Sequence, residues 1–563
     1  MLNRLFFKSS LSLSVALMTV GANFVPAVRP AFGAERINIS YGILQRSIPI
    51  KSLELFARTG EIDEDFAAYA RYVDKKELEQ LRRLLVTPIS LGAIEVSQFL
   101  YTAIGQTLLE RLGDVIQLES GLNGFYAIRS ALIVSAAQKQ GQGFTLLDVF
   151  RNYSSNAISI NLSRTQEIAE SVQILINQTQ NAVALINQES REEAGSTEVL
   201  TTGVTTGVTT GVTTGVTTRR FRVQKITFNF NDVSRNRVIN TDVYVPVTSG
   251  RRPVVVISHG LGSDRASFAY LAQYLARSGF VVVVPEHPGS NAAQLQALLS
   301  GRADTVTDPR EFVERPLDIK FVLDEVTMLQ DSNTILRGRL NLEQVGVVGQ
   351  SFGGYTALAL AGAKINFEQL NKDCPALRSS LNVSQLLQCL AVRLPKTEYN
   401  LSDSRVKAVI AINPVGSSIL GQTGLRQINI PIMIVAGSAD TVTPALPEQI
   451  QPFTWLTTPN KYLALINGGT HFSTIAESPN NTLPIPQEAV GASPEVSRSY
   501  IESLSFPFFQ TYVAQQPSYI NYLNASYAKA ISQAQLPLSL VRNITPNKLQ
   551  QALNSSPLSS NPQ

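Results

Sequence analysis

Val345-Gly-Val-Val-Gly349-Gln350-Ser351-Phe352-Gly353-Gly354 is the stretch on which the reading of this chain turns. An apolar run ends in G-x-S-x-G and leads into small residues, so the pattern predicts a buried strand, a sharp turn and a helix. That context gives the motif its chemical meaning. The turn lifts the Ser351 hydroxyl above a sheet, small residues at 349 and 353 let backbone segments approach closely, and helix N-terminal amides surround developing negative charge.

A serine hydroxyl is a weak nucleophile, so it needs a base within hydrogen-bond reach and an acid that orients the base. In α/β-hydrolases these follow the serine in the order acid, then histidine. His471 is the one histidine after Ser351, in a glycine-rich loop behind a predicted strand at 462–466. Asp440 follows a second apolar run at 432–436 and is the expected acid, with Glu448 as its nearest rival. An oxyanion hole takes two backbone N–H donors, one from the residue after the nucleophile and one from an earlier strand-to-helix loop. Phe352 and Leu261, the latter in Ser258-His259-Gly260-Leu261-Gly262, are the candidates. On this reading His259 orients its loop. Glu286-His287 precedes the serine, breaks the order, and reads as a structural or substrate-rim feature.

The same texture surrounds the motif. Continuous apolar runs at 254–257 and 280–284 suit buried parallel strands, and Phe268, Leu271, Ala272 and Leu275 between them mark one face of a helix. Further helices are expected at 316–329 and from Ser493 as cap with Pro494 at the first helical position. The predicted fold class is α/β, a mostly parallel sheet flanked by helices, over residues 219–535, with 365–405 as a cap insertion and 536–563 as a C-terminal tail.

Ahead of it, 34–175 reads as a small α-helical domain, with Asp74-Lys-Lys-Glu77 as a capping box before Leu78, Leu81 and Leu85. Helical runs also fall at 94–112 and 127–137. Residues 176–218 read as a linker because Thr-Thr-Gly-Val occurs four times in tandem, too short a unit for a solenoid and weakened as a strand by its glycines. Residues 1–33 read as a secretory signal: Arg4 and Lys8 precede an apolar run, and Ala31-Phe32-Gly33 offers small residues for cleavage. An uncleaved anchor is the alternative.

The chain is 563 residues long, 44% hydrophobic and 16% charged, enough for a large core. Its net charge of +4 falls to +1 without the leader, because Arg4, Lys8 and Arg29 go and no acid does. Near neutrality there is no electrostatic case for nucleic acid. The three histidines stand far apart and there is no CxxC, so no metal-ligand spacing is present. Cys374 and Cys389 are the only cysteines. In an exported chain they can close a small loop, contributing about 3 kcal/mol, or remain two buried thiols.

Ser258-His-Gly-Leu-Gly262, Gly349-Gln-Ser-Phe-Gly-Gly354, Asp440 and His471 resemble platelet-activating-factor acetylhydrolases and dienelactone-hydrolase-like enzymes across roughly residues 220–480. In the acetylhydrolases the residue before the serine is usually histidine, whereas here it is Gln350; their oxyanion donors match Leu261 and Phe352. Dienelactone hydrolases proper use cysteine, so Ser351 argues against that chemistry. The N-terminal region, including Ser120-Gly-Leu-Asn-Gly-Phe-Tyr126, resembles an uncharacterised domain found ahead of such hydrolases in photosynthetic bacteria.

The expectation is an exported serine esterase acting on a small-molecule or lipid ester without a cofactor. Membrane contact would run through the helical domain or a retained leader. The rivals are an amidase or acyltransferase with the same triad, and a non-catalytic envelope-associated binding protein on a hydrolase scaffold.

Overall fold

The computed structural model describes residues 33–41, 44–140, 142–195, 220–478 and 487–555. The expected leader through residue 32, the Thr-Thr-Gly-Val repeats and the end of the chain after 555 lie outside them. Among the described residues, no helix is long and apolar enough to cross a membrane. The chain divides into two units, the first ending at Gln166 and the second taking Glu167 onward together with Tyr101–Thr107.

The first unit is not purely helical. Alternating Ile37 and Ile39 mark β1 (Arg36–Tyr41), which pairs antiparallel with β2 (Leu44–Pro49). Its other neighbour is β4 (Ala157–Asn161), in parallel, and β3 (Ile116–Leu118) closes the sheet order β2-β1-β4-β3. The strands are short and β1 finds β4 about 120 residues on, so no local window reveals the pairing. The Asp74 capping box does form, with the Asp74 carboxylate accepting from Glu77 N–H at 2.7 Å. The run at 94–112 breaks at Thr102 into helices Ala93–Tyr101 and Ala103–Val115.

Residues 176–195, expected as the start of the linker, are helical. One helix runs Leu162–Gly195, and its Ala182 and Ile186 are fully buried in the core of the second unit. Its polar face misleads because it bonds to protein: Asn187 and Asn467 exchange amide bonds at 3.1 Å, and Ser190 Oγ accepts from Leu540 N–H at 3.1 Å.

The second unit is built on a nine-stranded sheet. In chain order its strands are β5 (Val223–Asp232), β6 (Arg237–Pro246), β7 (Arg252–Ser258), β8 (Val281–Pro285), β9 (Leu340–Gln350), β10 (Val406–Ile412), β11 (Ile432–Gly437), β12 (Lys461–Ile466) and β13 (Leu538–Val541). The spatial order is β13-β12-β11-β10-β9-β7-β8-β6-β5, parallel from β12 through β8 and antiparallel at both edges. Continuous apolar runs follow from cover on both faces: Val254 and Val256 enter one core, Val255 and Ile257 the other. Helix Glu311–Ser332 and helix Phe352–Leu360 cover the first face, helices Ala269–Arg277 and Pro494–Tyr512 the second.

Three local expectations change. The helix placed at 316–329 starts at Glu311, with Pro316 inside it. Proline has no N–H for the carbonyl of Phe312, which accepts instead from Tyr355 Oη at 2.8 Å. Ser493 does not cap its helix through its side chain; it adopts φ 50° ahead of Pro494. The tail expected from 536 is largely ordered structure: β13 pairs with β12, and helix Pro546–Asn554 follows. In the expected cap, Cys374 and Cys389 are disulfide-bonded, with Cα atoms 5.6 Å apart.

Burial pushes the Glu502 carboxyl, on helix Pro494–Tyr512, up to about 7 against the pull of Arg498 and Arg220. A carboxyl raised in the fold stabilises it while protonated, so this contribution is lost as pH rises from the unfolded value near 4.5 through 7. Glu502→Gln should therefore raise the urea midpoint more at pH 8 than at pH 5. An equal shift at both would count against it.

Candidate active site

Ser351 stands where β9 ends and helix Phe352–Leu360 begins, at φ 56° and ψ −117°. A non-glycine residue at positive φ is strained, and here Ser351 N–H on Ile412 O (2.9 Å) and Tyr355 N–H on Ser351 O (3.1 Å) hold it. The glycines are a steric requirement. A Cβ on Gly349 would lie 1.8 Å from Gly353 O, one on Gly353 would lie 2.1 Å from Ser258 O, and one on Gly354 would lie 2.8 Å from Pro414 Cα. The same closeness brings the 258–262 turn to the serine: a Cβ on Gly260 would meet Gln350 Oε1 at 2.4 Å and Ser351 Cβ at 3.4 Å.

Asp440 and His471 come together from the loops after β11 and β12. A Cβ on Gly437 would come 2.5 Å from Gly469 O, so these loops touch backbone to backbone. His471 Nδ1 lies 2.7 Å from Asp440 Oδ2, and both residues are buried. Asp440 Oδ1 also accepts from the N–H groups of Val442 (2.8 Å) and Thr443 (2.7 Å). Nδ1 therefore carries the ring proton and Nε2 is left as an acceptor. That acceptor faces the Gln350 amide nitrogen at 3.3 Å, and the same nitrogen donates to His471 O at 3.2 Å. Among the described residues, the hydrogen-bond partners of the His471 ring are Asp440, Thr443 and Gln350. The expected bond from Ser351 to the base is not among them. The residue before the serine holds that place.

Two groups join the site that sequence reasoning did not single out. Thr443 Oγ1 donates to Asp440 Oδ2 at 2.8 Å, and the Asp-x-x-Thr spacing, which resembles a capping turn, is the signal that could have found it. Asn413, after β10, accepts from Gly437 N–H (2.9 Å) and donates to Thr470 O (3.3 Å), tying the acid and base loops together. No sequence pattern marks it.

Of the proposed amide donors, Phe352 N–H opens its helix and Leu261 N–H lies in the turn beside Gly260; among the described residues neither has a backbone acceptor, whereas Gly262 N–H is taken by Ser290 O at 2.8 Å. Glu448, the rival acid, is elsewhere engaged. Its buried carboxylate accepts from Asn382, Ser384 and Gln388 of the segment 365–405 and from Ser417, which fastens that segment to the loop after β10.

His287 corrects the substrate-rim alternative, because it is fully buried. It joins Ser258 Oγ (3.0 Å) to Asp318 Oδ2 (3.0 Å), and Asp318 in turn is bound by Arg235 and Arg237. Burial, reinforced by Arg315, holds His287 and His259 well below the usual histidine range, so both are neutral. Arg315, fully buried, donates to Ser258, Ser290, Thr356 and His259 O. Burial lowers it to about 9, which leaves it cationic at neutral pH.

A family profile described as "alpha/beta hydrolase fold" matches residues 253–369, the segment holding the 258–262 turn and Ser351. The chain has the α/β-hydrolase fold. A second profile, "Alpha/beta hydrolase of unknown function (DUF1400)", matches residues 33–161, the region that resembles a domain found ahead of such hydrolases. Cutinase 2 of Thermobifida cellulosilytica is 23% identical over 257 residues, 44% of this chain and 68% of that protein. The cutinase of Thermobifida fusca (strain YX) is likewise 23% identical, over 44% of this chain and 56% of its own length. A platelet-activating factor acetylhydrolase of Cavia porcellus is 23% identical over 20% of this chain and 33% of its own. The chain thus spans a third to about two thirds of the length of these relatives. The likeness supports a hydrolase of the α/β-hydrolase type.

The backbone packing at the turn carries its own test. Gly353→Ala forces a methyl group onto Ser258 O, and overpacking of this kind costs about 1–3 kcal/mol or more. Thermal unfolding of the variant should show a clear loss of stability; a wild-type midpoint would mean that the turn relaxes freely.

Proposed function

We propose that the chain is an ester hydrolase working through an acyl-enzyme on Ser351. The observation that carries this reading is the buried Asp440 to His471 Nδ1 bond of 2.7 Å, which leaves Nε2 as an acceptor beside the serine turn. In the proposed reaction Ser351 Oγ attacks the ester carbonyl carbon while its proton passes to His471 Nε2. Collapse of the tetrahedral intermediate breaks the bond to the leaving alcohol, which takes that proton, and water repeats the sequence to free the acid. For the first transfer the serine must take the place that the Gln350 amide holds. Asp440, bound also by Thr443, stabilises the imidazolium that forms, and the amides of Phe352 and Leu261 receive the oxyanion.

The substrate is a carboxylic ester, a small molecule or a lipid, in keeping with the cutinase and acetylhydrolase likeness. The leader pattern over 1–33 supports export.

A fluorophosphonate should label the wild-type protein at Ser351 and leave Ser351→Ala unlabelled. Ser351→Ala should lose ester turnover without change in melting temperature, and Asp440→Asn should lower kcat by about 10³–10⁴ through the wrong histidine tautomer. An active, folded Ser351→Ala would falsify the assignment.

A further inference from the structure

Behind the turn at Gly260 lies a second serine, histidine and aspartate line, Ser258 to His287 to Asp318, with every member fully buried. It has no access to substrate, so its consequence must reach the site through the backbone. The carboxylate of Asp318 can only accept, so the neutral His287 ring carries its proton on Nδ1, and its Nε2 accepts from the Ser258 hydroxyl at 3.0 Å. That Nδ1–H donates a hydrogen bond to Asp318 Oδ2 at 3.0 Å. The ring and its main chain are thereby fixed.

The next link is the backbone N–H of His287, which donates to His259 Nε2 at 3.0 Å. A backbone amide can only donate, so His259 Nε2 is unprotonated and its single proton sits on Nδ1. Nδ1 lies 2.8 Å from Gly260 O, to which it donates. Ser263 N–H holds the same oxygen at 3.3 Å. In a trans peptide the C=O and N–H of one plane point in opposite directions. Fastening Gly260 O against His259 therefore turns the Leu261 N–H away from the buried network.

Resting on the esterase reading above, we infer that the buried line from Asp318 through His287 to His259 is a positioning device that aims the Leu261 N–H at the oxyanion. His259 is a positioning residue. It touches no reacting atom and acts only by holding one peptide plane, and the preorganisation of such donors is where much of the rate resides in acyl transfer.

The two ring nitrogens can be separated by substitution. His259→Asn keeps a donor at the place of Nδ1 and loses the acceptor at Nε2; His259→Gln does the reverse. With a short-chain p-nitrophenyl ester, His259→Gln should lower kcat by about 10–100-fold with KM changed by less than about threefold, since an interaction made in the transition state is lost. Its affinity for a trifluoromethyl ketone, which forms an oxyanion on Ser351, should fall in the same proportion. His259→Asn should recover most of both. Equal effects of the two variants, or a change confined to KM, would overturn the proposal.

Should either variant fail to fold, ¹⁵N-histidine spectra of the wild-type protein decide the matter, because the chain has three histidines. His259 must appear as the neutral Nδ1–H tautomer, and an Nε2–H signal rejects the device. A wild-type protein that neither hydrolyses esters nor takes up fluorophosphonate would instead defeat the underlying esterase reading, whatever the tautomer.

Discussion

The architecture of the site depends on one close approach: the backbone at Gly353 against the carbonyl of Ser258, where a side chain of any size would collide. That contact brings the end of β9 onto the end of β7, and with it the serine onto the glycine turn. Because β7 and β9 are paired in parallel from Val254/Val345 to Ser258/Gly349, the register of the sheet delivers both ends at the same height. The strained Ser351 backbone is then sustained by surroundings that leave it no room to relax.

The site is consequently held from two sides of different character. Towards β10, β11 and β12 the holding groups are short neutral donors and acceptors, Asn413, Thr443 and the backbone around Asp440. Towards β6, β7 and β8 they are buried charges, with Asp318 answered by Arg235 and Arg237 and Glu311 by Arg237. Removing one partner of such a set leaves another charge buried without compensation, which commonly costs about 3–5 kcal/mol.

Much of the second unit is legible in sequence because its signals are local. The apolar runs, the strand-turn-helix around Ser351 and the placing of Asp440 and His471 behind successive strands can each be read within a dozen residues. What was not legible is long-range. Arg235, Arg237, Arg315 and Asp318 look like surface charges in sequence and meet only when β6 and helix Glu311–Ser332 pack together. The four-stranded sheet of the first unit hid behind short strands far apart, and β13 behind a Ser- and Pro-rich context that shows its purpose only beside β12. Gln350 was noticed as a departure from the acetylhydrolases, yet its hold on His471 could be seen only in three dimensions.

The helix Leu162–Gly195 also alters how the repeats should be regarded. Its last turns are fastened into the second unit, with Ser526 Oγ on Ala194 O at 3.1 Å, and the chain is again part of that unit where Phe221 N–H meets Arg277 O at 2.8 Å. The described residues on both sides of the Thr-Thr-Gly-Val repeats therefore belong to one unit. The division between units falls ahead of this helix's buried half, near Gln166, and not at the repeats, so a chain cut at the repeats would be cut inside the second unit.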